Sequence, residues 1–167
     1  HNVRVLPRYI AKLEAKRGGS AKRKEENLKK AREGAIKLLE GPGRELAITL
    51  AMLYWGEGSK KVCEFINSDG KMIQCYLLVL RKVLNVPEEL LKPTLRIFTG
   101  MNQAECLNYW VGATNIPKHR FIIRWNDGGT KCRTRYGMCR ITVRKGSNVL
   151  KLIHSLIDQI RGEVLKT

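Results

Sequence analysis

Glu57 stands between Gly56 and Gly58 at the end of an apolar run, Leu-Ala-Met-Leu-Tyr-Trp-Gly-Glu-Gly, that spans residues 50–58. A carboxylate so placed is an oxygen ligand of the kind a hard divalent cation takes alongside water and phosphate. Lys60 and Lys61 follow closely enough to approach the same phosphates, and either could assist a leaving group. Glu64 and Asp69 are weaker ligand candidates, because Asp69 suits a helix start and Glu64 the exposed face of a strand. The five cysteines, Cys63, Cys75, Cys106, Cys132 and Cys139, contain no CxxC or CxxH pair. They read as free thiols packed like small hydrophobes rather than as a disulfide frame or zinc site. His1, His119 and His154 are too few and too scattered for a His-based centre.

The elements that carry these residues follow from periodicity. From Leu46 to Trp55 every residue but Thr49 is apolar or aromatic, which describes a buried helix, expected over about 44–56. Gly41-Pro42-Gly43 separates it from a basic helical arm, read as a short helix from Pro7 to Arg17, a break at Gly18-Gly19, and a longer helix from Ser20 to Glu40. Two domains result, an arm over 1–42 and a body over 43–167. Within the body the pattern predicts a strand at 61–67 and, behind a Ser68 or Asp69 cap, a helix at 69–84 bearing Ile73, Leu77, Leu80 and Leu84. A strand at 94–98 follows, then a helix behind Asn102 and Glu105, strands at 119–126 and 137–144, and a final helix capped by Ser147.

Size and charge bound the function. A chain of 167 residues with 43% hydrophobic content can build one real core. Its longest apolar run, about ten residues, falls short of the roughly 20 a membrane helix needs. The first residues lack a signal peptide's apolar stretch, so the expected location is cytoplasmic, with the nucleoid or a mobile element. The net charge of +17 lies in two blocks: residues 1–40 hold 12 Lys/Arg against 5 Asp/Glu and residues 92–146 hold 11 against 2, while residues 41–91 balance at 6 against 6. Two basic surfaces flanking a neutral core segment point to a polyanion, above all nucleic acid.

In the arm, Lys22, Arg23, Lys24, Lys29 and Lys30 are the candidates for phosphate contact. In the second block, alternation puts Cys139, Ile141 and Val143 on one face and Arg140, Thr142 and Arg144 on the other. Arg120 and Arg124 share a face in their strand, Arg96 joins them, and Arg133 and Arg135 lie on the connecting loop. One antiparallel sheet would then be covered by helices on its apolar side and present, uninterrupted by acid, a ladder of arginines suited to guanine edges and phosphates.

Residues 50–58 resemble the nine-residue LAGLIDADG motif of homing endonucleases: Leu50, Ala51, Leu53 and Gly58 match, Gly56 replaces a small residue, and Glu57 takes the acidic eighth position. The strand, the Asn67-Ser68-Asp69 turn into a helix and the terminal strand-strand-helix unit extend the likeness over roughly 44–161, leaving out the arm. Met52 and Trp55 depart from it, standing where a Gly and the first acid are usual, and one strand rather than two precedes Asn67.

The resemblance implies an α+β fold with a four-stranded antiparallel saddle sheet over double-stranded DNA. It also implies a homodimer through the helix ending at Glu57, and Mg²⁺ or another divalent cation held at Glu57 and Gly56. Metal-dependent cleavage of both strands would follow. Two other readings stand beside it: a non-cleaving DNA-binding regulator on the same fold, and an RNA-binding protein, which would prefer structured RNA to duplex DNA.

Overall fold

The computed structural model describes residues 7–126 and 134–166. Among these residues five α-helices and four strands follow one another as α1 (Pro7–Glu40), α2 (Arg44–Glu57), β1 (Glu64–Asn67), α3 (Gly70–Lys82), β2 (Leu91–Phe98), α4 (Gln103–Thr114), β3 (Ile122–Asn126), β4 (Met138–Val143) and α5 (Ser147–Val164), an α+β arrangement. The strands form one sheet in the order β1-β4-β2-β3.

Side-chain chemistry sets several of these boundaries as the sequence implies. Asp69 accepts a hydrogen bond from the Lys71 amide at 2.7 Å and opens α3. Asn102 accepts from the Glu105 amide at 3.1 Å and opens α4, so each side chain satisfies an amide that lacks a partner within its helix. At α5 the expected Ser147 cap is absent. Gly146 takes the N-cap position without a side-chain bond, because a Cβ there would press on Cys63 and Val143.

The sheet differs from the antiparallel expectation. β4 pairs antiparallel with both β1 and β2, but β3 runs parallel to β2, with Thr94 opposite Ile122 and Arg96 opposite Arg124. The sheet is therefore mixed. Strand β2 also starts earlier than Thr94, at Leu91. Proline in a central strand normally removes a ladder bond, yet β3 joins only from Thr94 onward, so Pro93 faces no partner strand on that side. β1 is shorter than read, and residues 118–120 form a 3-10 turn instead of the start of β3.

Burial alternates along β4, with Cys139, Ile141 and Val143 buried between half-buried Met138, Arg140 and Thr142. Leu91, Leu95 and Ile97 of β2 and Phe65 of β1 join the buried side. Over it pack α2, α3 and α4, while α5 lies against α1 and α2. Core residues from the helices include Leu50, Ile73, Leu77, Leu80, Trp110, Ile153 and Leu156, and full burial of each such side chain stabilises the fold by about 1.5–3 kcal/mol.

Helix α1 runs unbroken through Gly18 and Gly19, contrary to the expected break. Its last turns belong to the core, with Ala31, Ala35 and Leu39 buried, whereas residues 18–26 are exposed all round. At Gly34 the helix comes close to α5, where an added Cβ would meet Leu152 at 3.2 Å. Helix α2 is buried on one side only. Ala47, Leu50, Ala51 and Tyr54 face the core, and Met52 and Trp55 are exposed. No helix among the described residues is long and apolar enough to cross a membrane.

Candidate nucleic-acid interface and the carboxylate at its edge

The face of the sheet opposite the core carries, strand by strand, Glu64 and Ile66 on β1; Met138, Arg140 and Thr142 on β4; Lys92, Thr94, Arg96 and Phe98 on β2; and Ile122, Arg124 and Asn126 on β3. This follows from the register and from the alternating burial. Lys92, Arg96, Arg124 and Arg140 line an open groove of about 460 Å³ along it, with Trp125, half exposed, at the edge strand. Four cations in one groove with no acid in its lining make a strongly positive surface.

Other basic residues singled out from the sequence fall elsewhere. Arg120 sits in the 3-10 turn before β3 and donates through Nη2 to the carbonyls of Glu88 and Leu91, both at 2.6 Å, tying that turn to the start of β2. Arg144 is exposed just beyond β4, beside a second open cleft with Lys92 and Glu89. The Arg135 guanidinium lies 5.1 Å from the centre of the Tyr136 ring, which stacks on Tyr109 at 4.1 Å. Arg133 and Cys132 lie outside the described residues. Lys22, Arg23, Lys24, Lys29 and Lys30 are exposed along α1.

Glu64 corrects the expectation of an acid-free face. Its carboxylate lies 3.7 Å from Nη1 of Arg140, with each side chain 27% exposed. Arg140 Nε is buried without a hydrogen-bond partner. The sequence assigned Glu64 to the exposed face of its strand, but the antiparallel partner that brings Arg140 beside it is a long-range fact.

Glu57, Gly56, Lys60 and Lys61 are all exposed at the C-terminal end of α2. What places them is the next residue. Gly58 leaves the helix in an extended conformation and bridges antiparallel to Phe65 of β1, and the Ser59 amide donates to the Glu64 carbonyl at 3.1 Å. The helix end is thereby fixed against the edge of the sheet that bears the arginines.

Tyr54 secures that junction. Its hydroxyl reaches the carbonyls of Ser59 at 2.8 Å and Val62 at 2.9 Å, donating to one at a time, and accepts from the Glu64 amide at 3.2 Å. Its ring covers Gly58, where a Cβ would collide with it, and stacks on Tyr76, 6.1 Å between centroids. Burial, first of all, pushes the Tyr54 phenol well above its ordinary range. The neighbouring Cys63 thiol is raised, chiefly by burial, to about 11, so both groups stay protonated at neutral pH. In the sequence Tyr54 stands only as part of the apolar run. The signal was there, because a buried tyrosine needs a partner for its hydroxyl.

The oxygen chemistry at the helix end fits a hard cation: the Glu57 carboxylate is exposed, and the C-terminal end of a helix carries its negative pole. Among the described residues no three His, Cys, Asp or Glu side chains come together, so the remaining ligands of such an ion would be water and phosphate oxygens. Of the cysteines, Cys63, Cys106 and Cys139 are buried and Cys75 is exposed, with no disulfide among them. No protein-family model, no curated protein and no solved structure matches this chain.

Proposed function

We propose that this chain is a DNA-binding protein of the LAGLIDADG endonuclease type. In this reading it acts as a homodimer that lays the open faces of two sheets along double-stranded DNA and cleaves both strands with a divalent cation. One observation carries the proposal: the Gly58–Phe65 bridge fastens the end of α2, with Glu57, to the edge of the sheet face bearing Arg96, Arg124 and Arg140. In this reading a duplex held on that face runs its backbone past the carboxylate.

The division of labour follows from residue chemistry. Lys92, Arg96, Arg124 and Arg140 meet phosphates and base edges in the groove. Lys22, Arg23, Lys24, Lys29 and Lys30 of the arm hold flanking backbone. Arg120 is already committed to two carbonyls and supports the sheet instead. Glu57, with the backbone at Gly56, holds Mg²⁺ or a similar ion, which supplies charge stabilisation and an activated water when bound. Lys60 and Lys61 neutralise the phosphate beside it. Two-fold symmetry brings a second Glu57 to the other strand.

A second reading, a regulator that binds without cutting, is favoured by Trp55 in the place of the motif's first acid. Incubating genomic or randomised duplex DNA with the protein and Mg²⁺ separates the two. Glu57→Gln is expected to keep DNA binding and lower cleavage by about 100-fold or more, the loss of about 3 kcal/mol of transition-state stabilisation. Undiminished cutting by the variant would remove Glu57 from the mechanism. Metal-independent binding with no cutting by the wild type would assign the regulator.

A further inference from the structure

We propose that Glu64 and Arg140 form a joint reading head for one G·C base pair, an inference that rests on the DNA-binding function above. Glu64 is the sole acid among the described strand positions of the open face. A surface built only to grip phosphate gains nothing from a carboxylate, which repels it.

Fold stability does not account for the pair either. Nη1 of Arg140 stands 3.7 Å from the Glu64 oxygen, outside hydrogen-bond reach, and both side chains are more than a quarter exposed. Such pairs contribute little, while Arg140 Nε is buried with no partner. The two groups lie side by side without consuming one another's hydrogen-bonding capacity.

The edge of a base pair in the major groove explains that arrangement. Guanine offers two adjacent acceptors, N7 and O6, which suit the arginine fork, and cytosine offers the N4 donor, which suits a carboxylate. O6 and N4 are neighbours because they bond to each other within the pair. Read across the groove, G·C presents acceptor, acceptor, donor. The protein presents the complementary order, with the two donors of the Arg140 fork followed by the Glu64 acceptor. An A·T pair presents no two adjacent acceptors, and a C·G pair reverses the order. Cross-strand register supports the spacing: Glu64 lies opposite Thr142 and Ile66 opposite Arg140, so the two side chains project from diagonal positions of adjacent strands on one face.

The test is selection of binding sites from a randomised duplex pool, sequenced for the wild type, Glu64→Gln and Arg140→Lys. The wild-type sites should contain a fixed G·C pair. Each variant should relax preference at that pair by roughly 10-fold and leave the other positions unchanged, a pattern that loss of folded protein cannot imitate. Should Arg140→Lys fail to fold, the single-position change in Glu64→Gln decides. Uniformly tighter binding by Glu64→Gln with every preference intact would overturn the inference and make Glu64 a bulk charge. Relaxation at two unrelated positions would overturn it too. A wild type that retains no duplex at all marks instead the failure of the DNA-binding reading beneath it.

Discussion

Tyr54 shows how much of the candidate centre depends on a residue with no part in its chemistry. Glu57, Lys60 and Lys61 occupy an exposed helix end and the turn after it, and short exposed segments wander unless something fixes them. The phenol hydroxyl fixes this one at Ser59, Val62 and Glu64, and the ring bears on Gly58. Replacing Tyr54 by Phe keeps the ring and its stacking on Tyr76 but removes the one hydrogen bond the hydroxyl donates, to Ser59 or Val62, and the one it accepts from Glu64. The expected cost is about 1–3 kcal/mol of unfolding free energy, read from denaturant melts of the two proteins. A variant as stable as the wild type would mean that water replaces the hydroxyl without loss.

At the scale of elements, most of the fold is legible from the amino acids because most of it is local. The caps at Asp69 and Asn102 and the face of α3 that bears Ile73, Leu77 and Leu80 need only the spacing of neighbours in the chain, and these stand where the pattern puts them, though Leu84 falls beyond the end of the helix. Errors arise where a partner from elsewhere decides. The parallel pairing of β3 with β2, the tolerance of Pro93 and the meeting of Glu64 with Arg140 depend on strands far apart in sequence. The Gly18-Gly19 break fails for a different reason. Glycine weakens a helix without forbidding it, and an added Cβ at either position would meet nothing within 4 Å. Gly18→Ala with Gly19→Ala should therefore stabilise the arm by about 1 kcal/mol per site. The gain would appear as a larger helical signal at 222 nm, with little change in the melting temperature of the core, because residues 18–26 are exposed. A loss of helicity would show that the glycines serve a bend instead.

For the whole molecule, the exposed side of α2 and the net charge pull in opposite directions. Met52 is 39% and Trp55 50% exposed, one turn apart on the face away from the core, and a Cβ at Gly56 would meet open space. A stripe of this kind, with a glycine beside a large aromatic, suits close packing against a second α2 in the proposed dimer, and a central Trp is the residue type that most often dominates such contacts. Against this, two chains of +17 each repel one another. Salt screens that repulsion and leaves the apolar contact intact. The proposed dimer should therefore strengthen in the absence of DNA as salt rises, the reverse of the proposed DNA affinity, which should fall as counterion release loses its advantage. Sedimentation velocity at micromolar protein would follow both trends, since a dimer would have twice the 19.1 kDa mass of the chain. Trp55→Asp should weaken the dimer by about 30-fold or more without unfolding the chain, because the side chain already meets water in the monomer. Monomers at every salt concentration, or one chain per DNA site, would separate the sheet's DNA binding from any two-fold arrangement of Glu57.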